Sequence, residues 1–143
     1  MSRLPSLFAL ASVVVATNSV GLAGDLTAGR TLFKVCAVCH EIGEKAQNRI
    51  GPTLNGLDGR QAGAVRGYPY SPAMRNSEII WGEAVFKEYL KAPMEMVPGS
   101  KMRFTGLRDE QGLDDIWEFV AQYAPDGKIK PWKARPEPAS EGK

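Results

Sequence analysis

Three residues constrain this chain more than any others: Cys36, Cys39 and His40, in the run CAVCH. The 143-residue sequence contains two cysteines and one histidine, and this pentapeptide uses all three. CxxCH is the attachment signature of a c-type haem. Two thiols add across the two vinyl groups of the porphyrin, and the two-residue spacer lets both reach one edge. The adjoining imidazole then lies under the iron as its proximal ligand. Other chemistries fit parts of the motif. A thioredoxin-like redox pair calls for a βαβ setting, and no such pattern is visible. A zinc site needs four ligands, and the chain offers three soft or imidazole donors. A disulfide across two intervening residues fits an oxidising compartment. Haem attachment uses the whole motif, and predicts one haem held covalently through two thioethers.

The amino terminus agrees with export. Arg3 gives residues 1–23 a positive start, residues 7–16 (LFALASVVVA) form an apolar stretch, and Gly21-Leu22-Ala23 offers a cleavage site before Gly24. That pattern is a secretory signal peptide. The apolar run is shorter than the roughly 20 residues a spanning helix needs, although a retained signal anchor is the alternative. Export implies the periplasm, where covalent haem attachment takes place. The rest is one domain long, with a modest core. Residues 24–125 are expected to form it, with residues 126–143 as a proline- and charge-rich tail. The formal net charge of +2 is not a nucleic-acid-binding balance.

Helical periods recur between long irregular stretches. Residues 25–35 read as a helix with Asp25 as N-cap and Leu26, Gly29 and Phe33 near one face. Gly29 in mid-helix costs roughly 1 kcal/mol against alanine, so either a close helix–helix approach requires it or it is merely tolerated. Residues 41–65 are broken by glycines and read as loop, a length that suits a segment wrapping a ligand. Ser71 can cap a short helix with Pro72 at its first position. Residues 82–91 form a second helix that Pro93 ends. Residues 94–107 read as loop, and residues 109–124 as the last helix, with an apolar stripe at Leu113, Ile116, Trp117 and Val120. Residues 128–143 read as a mostly disordered tail, with Trp132 as a candidate tether.

His40 leaves one iron face open. The second axial donor is a methionine, a lysine, a weaker donor, water or none. A thioether favours reduced iron and suits an electron carrier. Met74, Met94, Met96 and Met102 all qualify by chemistry. Residue type does not choose among them, because methionine also fills cores.

In order along the chain stand CAVCH at 36–40, GPTLNGL at 51–57, GR at 59–60, YPYSPA at 68–73, Trp81, EYL at 88–90 and PGSKM at 98–102. This set resembles the class I c-type cytochromes, of the mitochondrial-like type that includes bacterial cytochrome c-two. The resemblance implies an all-α class I cytochrome c fold, with three main helices plus short helices and long loops wrapped around one covalent haem. It implies Met102 as distal ligand, with Met94 and Met96 as loop packing. Pro52 would accept the His40 Nδ1–H through its carbonyl and fix the tautomer. Tyr70 and Trp81 would donate to a buried propionate, with Arg60 offsetting its charge. By residue chemistry alone, Tyr70 and Trp81 are ordinary core aromatics. Tyr89 and Ser100 would lie near the Met102 sulfur, and Phe104 would cover the exposed haem edge. Gly29 and Phe33 would pack on Ile116 and Phe119. Three features depart from the family, one of them a carboxy-terminal tail after Ala124 that exceeds the usual family length. Met74 stands where asparagine is typical, and the lysine-rich front is thinned to Lys34, Lys45, Arg49, Lys101, Arg103 and Arg108, with Met94 and Asp109 at places often basic.

The implied function is a soluble periplasmic one-electron carrier, not an enzyme, monomeric and meeting membranes only through its partners. The partners implied are a quinol–cytochrome c reductase or periplasmic dehydrogenase, and a terminal oxidase or photosynthetic reaction centre. A peroxidase or gas sensor with an open sixth site, a membrane-tethered carrier and a haem-free disulfide protein are the rival readings.

Overall fold

The computed structural model describes residues 24–131. Five helices follow in order: α1 Leu26–Cys36, α2 Pro72–Arg75, α3 Glu83–Lys91, α4 Pro93–Met96 and α5 Glu110–Ala121. Among the described residues the only β pairing is two isolated bridges, Gln61 with Ile80 and Tyr123 with Ile129. The export signal read in residues 1–23 and the Trp132 tether lie outside the described residues.

The first and last helices cross, and the absence of a side chain at Gly29 permits the approach. A Cβ there would lie 2.0 Å from the Asp115 carbonyl oxygen and 2.8 Å from Phe119 Cβ. One turn on, Phe33 meets Phe119 with ring centroids 5.2 Å apart. The crossing therefore centres on Asp115 and Phe119, while Ile116 turns toward the interior cleft. Polar groups fix the register. The Asp25 side chain caps α1 by accepting from the Thr27 and Ala28 amides at 2.7 and 2.8 Å. Its own amide donates to the buried Asp115 carboxylate at 2.7 Å. The preceding Gly24 lies so close to α5 that a Cβ would sit 2.2 Å from the Asp114 carbonyl.

Helix α3 joins this pair through side chains. Phe86 stacks on Trp117 at 5.2 Å between centroids. Lys87 bridges Glu83 and Asp114, and Lys91 bridges Glu88 and Glu110 at 2.9 and 3.0 Å. Asp109 caps α5 by accepting from the Gly112 amide at 2.8 Å, which accounts for an acid at that position.

Two segments differ from the sequence reading. Residues 93–96 form a short helix where a loop is expected, because Pro93 ends α3 and also occupies the first position of α4, where its missing N–H costs nothing. Helix α5 stops at Ala121 rather than 124. The Tyr123 carbonyl accepts from Gly56, and the Ala124 amide donates to Lys128, so the backbone leaves the helical ladder. Residues 125–130, partly assigned to a tail, turn back against the 43–58 loop.

Replacing Gly29 by alanine gains about 1 kcal/mol of helix propensity. It also drives a methyl into a backbone carbonyl that cannot rotate away, and overpacking costs about 1–3 kcal/mol or more. Gly29→Ala is expected to lose about 2 kcal/mol net, read as a lower urea midpoint at unchanged slope. An unchanged or raised midpoint would contradict the crossing described.

Candidate functional site

Helix α1 ends inside the CAVCH run, and its ending gathers the motif. Cys36 is the last helical residue, and its carbonyl accepts from both the Cys39 and His40 amides at 3.0 and 2.9 Å. That tight turn brings both thiols and the imidazole to one cleft. The cysteines are free and half-buried. Burial pushes the Cys36 thiol up to about 11.

The His40 ring is held from two sides. Its Nδ1 lies 2.7 Å from the Pro52 carbonyl oxygen, an acceptor only, so Nδ1 carries the proton and Nε2 is left with its lone pair. Gly51 packs flat beneath the ring, where a Cβ would lie 2.4 Å from Cε1. Burial lowers the His40 pKa below its ordinary value, and the nearby Arg60 cation adds to this against the opposing Pro52 bond. Both effects keep the ring neutral, the form that can ligate a metal.

The cleft has a volume of about 660 Å³. Leu32, Leu54, Leu57, Phe86, Leu90, Ile116 and Val120 give it an apolar lining. Val38 and Ile50, 73% and 74% exposed, stand at its mouth. The other residues expected to contact a haem line the same space: Pro52, Arg60, Tyr70, Trp81, Tyr89, Ser100, Met102 and Phe104. Of the four candidate methionines, Met74 and Met102 line the cleft, whereas Met94 and Met96 do not.

Met102 is presented by a short polar chain. The Ser100 hydroxyl accepts from the Met102 amide at 3.2 Å and lies 3.3 Å from the Tyr89 hydroxyl, with both Ser100 and Tyr89 buried. The bond thus reaches the Met102 backbone. Tyr89 also stacks edge-on with Trp81 at 5.1 Å between centroids.

Arg60 is the polar anomaly. Its Nη1 donates to the Asn55 carbonyl at 2.6 Å, but its Nε is buried without a partner. A buried, unpartnered guanidinium nitrogen on a residue that lines an otherwise apolar cleft calls for an anion nearby. Burial lowers the Arg60 pKa and raises that of neighbouring Tyr70, and each of the two also favours the other's charged form.

Reading the sequence passed over three supports of this site. Gly51 and Asn55 stand within the GPTLNGL run, where their only visible signal is loop-breaking. Asn55 bonds both the amide and the carbonyl of Gly43, at 2.8 and 2.9 Å. Tyr68 donates to the Ile50 carbonyl at 2.6 Å and packs edge-on against Tyr70. Two of the basic residues proposed for a charged front are engaged locally: Arg49 pairs with Glu41 at 3.1 Å, and the Lys101 ammonium donates to the Pro69 carbonyl.

The Cytochrome c family model matches residues 26–124. The chain belongs to the cytochrome c family. It is 54% identical over 107 residues to cytochrome c-550 of Nitrobacter winogradskyi, covering 75% of this chain and 98% of that protein. To cytochrome c2 of Rhodoplanes tepidamans it is 46% identical over 106 residues, 74% of this chain and 99% of that one. The structure of cytochrome cH from Methylobacterium extorquens superposes with a TM-score of 0.64 at 39% identity, over 68% of this chain and 97% of that one. The fold is that of an all-α class I cytochrome c. The family binds haem c covalently and carries electrons between redox partner proteins. The donor set here fits that group: two thiols and an imidazole on one tight turn, an apolar cleft, and an orphaned guanidinium nitrogen for an anionic edge. Among the described residues no helix is long and apolar enough to cross a membrane.

Ser100→Ala removes the acceptor of the Met102 amide and leaves the buried Tyr89 hydroxyl without a partner. A loss of about 1–3 kcal/mol in denaturant unfolding is expected. A variant as stable as the parent would show that this chain does not hold the Met102 loop.

Proposed function

We propose that this protein is a soluble, periplasmic one-electron carrier and not an enzyme, with His40 and Met102 as the axial ligands of a haem attached through Cys36 and Cys39. The observation that carries this reading is the convergence of these four residues on one apolar cleft from which Met94 and Met96 are kept away. When bound, the haem supplies a one-electron couple at its iron. The chain's residues orient and insulate it. His40 offers Nε2 while the Pro52 carbonyl fixes its tautomer. Met102 offers a thioether, which favours the reduced state. Ser100 and Tyr89 hold the loop that presents it. Arg60 meets the charge of a propionate, with Tyr70 and Trp81 as donors beside it. Phe104, which lines the same cleft, would cover the haem edge.

With His40 and Met102 both holding the iron, no position would be left open to a substrate, which favours electron transfer over substrate chemistry. The upstream partner would be a quinol–cytochrome c reductase or a periplasmic dehydrogenase. The downstream one would be a terminal oxidase or a photosynthetic reaction centre. Exposed Lys34, Lys45, Arg103 and Arg108 would steer encounter with acidic partner surfaces, in a salt-dependent way. Residues 1–23 would direct export and be removed, leaving a haem-holding domain from residue 24 onward. Mass spectrometry of the mature protein is expected to find Gly24 at or next to its amino terminus, and retention of residues 1–23 would indicate a tethered carrier.

Absorbance spectra of the haem-loaded protein test the ligand pair. In Met102→Ala the sulfur-to-iron charge-transfer band of the oxidised form is expected to vanish, with a shift toward high spin. Met74→Leu is expected to retain the band. Loss of the band in Met74→Leu alone would move the distal ligand to Met74. A wild-type protein that is high-spin would favour the peroxidase or sensor reading.

A further inference from the structure

The family match ends at Ala124, yet residues 125–130 beyond it are built into the fold. The Ala124 amide donates to the Lys128 carbonyl at 2.8 Å, Gly127 to Ala124 at 2.9 Å, and Lys130 to Gln122 at 2.7 Å. The Asp126 side chain closes the turn by accepting from the Lys128 amide at 3.0 Å. The result is a hook over residues 122–130.

We propose that this hook is a positioning element for the haem site, acting through the 43–60 loop on Arg60 and on the Pro52 carbonyl that holds His40. The proposal rests on the reading of His40 as a haem ligand. The hook touches the loop at both ends of the arc that bears Pro52. At one end buried Gly127, at φ +81°, lies against Gly43, where a Cβ would be 2.2 Å from the carbonyl oxygen. At the other end the Gly56 amide donates to the Tyr123 carbonyl at 3.1 Å, and a Cβ on Gly56 would lie 2.8 Å from the Pro125 ring.

From Gly43 the path inward is short and made of named atoms. The same Gly43 carbonyl that abuts Gly127 accepts from Asn55 Nδ2 at 2.9 Å, and the Gly43 amide donates back to Asn55 Oδ1 at 2.8 Å. The Asn55 backbone carbonyl then accepts from Arg60 Nη1 at 2.6 Å, which holds the guanidinium of a residue that lines the cleft. Pro52 lies on the same arc, and its neighbours are tied to the haem-attachment segment through Gly51 N to the Cys39 carbonyl at 2.8 Å and Leu54 N to the Glu41 carbonyl at 3.0 Å. Displacing Gly43 therefore tilts Asn55, and with it both Arg60 and the stretch that presents Pro52. Support of this kind holds binding groups within a fraction of an ångström.

Hydrogen exchange in the haem-loaded, reduced, ¹⁵N-labelled full chain tests this. Gly127→Ala pushes a methyl into Gly43. Pro125→Gly loosens the hook without overpacking and covers the case in which the first variant folds poorly. In both, the His40 Nδ1–H and Arg60 Nε–H are expected to exchange about tenfold faster or more, while the Ile116 amide, deep in α5, keeps its wild-type rate. Wild-type exchange at His40 and Arg60, or acceleration only in step with Ile116, would reduce the hook to a general stabiliser and overturn the proposal. The underlying reading is judged separately, in the wild-type protein: His40 ring resonances without the large shift of an iron-bound imidazole would refute ligation, whatever the variants do.

Discussion

The side chains of this protein do not fill its centre. A cleft of about 660 Å³ runs among Leu32, Leu57, Phe86, Ile116 and Val120, which in an ordinary helical domain would touch one another. Apolar side chains left lining an open cleft lose the contacts and the burial that a filled core gives them. The haem is therefore a piece of the core as well as the redox centre. The long irregular stretches follow from the same constraint. Loops that would be a liability in a self-packed domain are ordered here by wrapping the lining of one cleft.

What the chain supplies by itself is a clamp behind that cleft. Gly29 lets α1 and α5 approach to backbone contact, and Asp115 ties the start of α1 to the middle of α5. This joins the two ends of the domain, and so places the CAVCH turn, at the end of α1, over a wall built partly by α5. Smaller devices then place single groups: Gly51 and Pro52 for the His40 ring, Ser100 for the Met102 loop, and Asn55 for Arg60. Each is worth about 1 kcal/mol or a little more, and their effect is to fix geometry rather than to hold the fold.

Much of this is legible in the residues. Covalent attachment demands contiguous cysteines and histidine, so CAVCH declares itself. Asp25 and the Ser71-Pro72 pair show where helices start, because capping chemistry is local. Long-range reasons are not visible in the same way. Gly29 reads equally as tolerated or required until Asp115 is found against it. The four candidate methionines carry identical thioethers, and only the course of the backbone separates Met74 and Met102 from Met94 and Met96. Residues 125–130 have the proline, glycine and charge content of a tail, yet Gly127 at positive φ and Gly56 opposite Pro125 make them a fitted closure. Pro93 illustrates the same ambiguity, since one residue stops α3 and starts α4.

The central claim is that the fold is completed by its cofactor. The most direct measurement is circular dichroism, in the far and near ultraviolet, of the chain carrying Cys36→Ser and Cys39→Ser and produced without haem. The account predicts weak helicity, no fixed aromatic signal from Trp81 or Trp117, and no cooperative thermal transition. A haem-free chain with native helicity, an ordered near-ultraviolet spectrum and a sharp melting transition would contradict it.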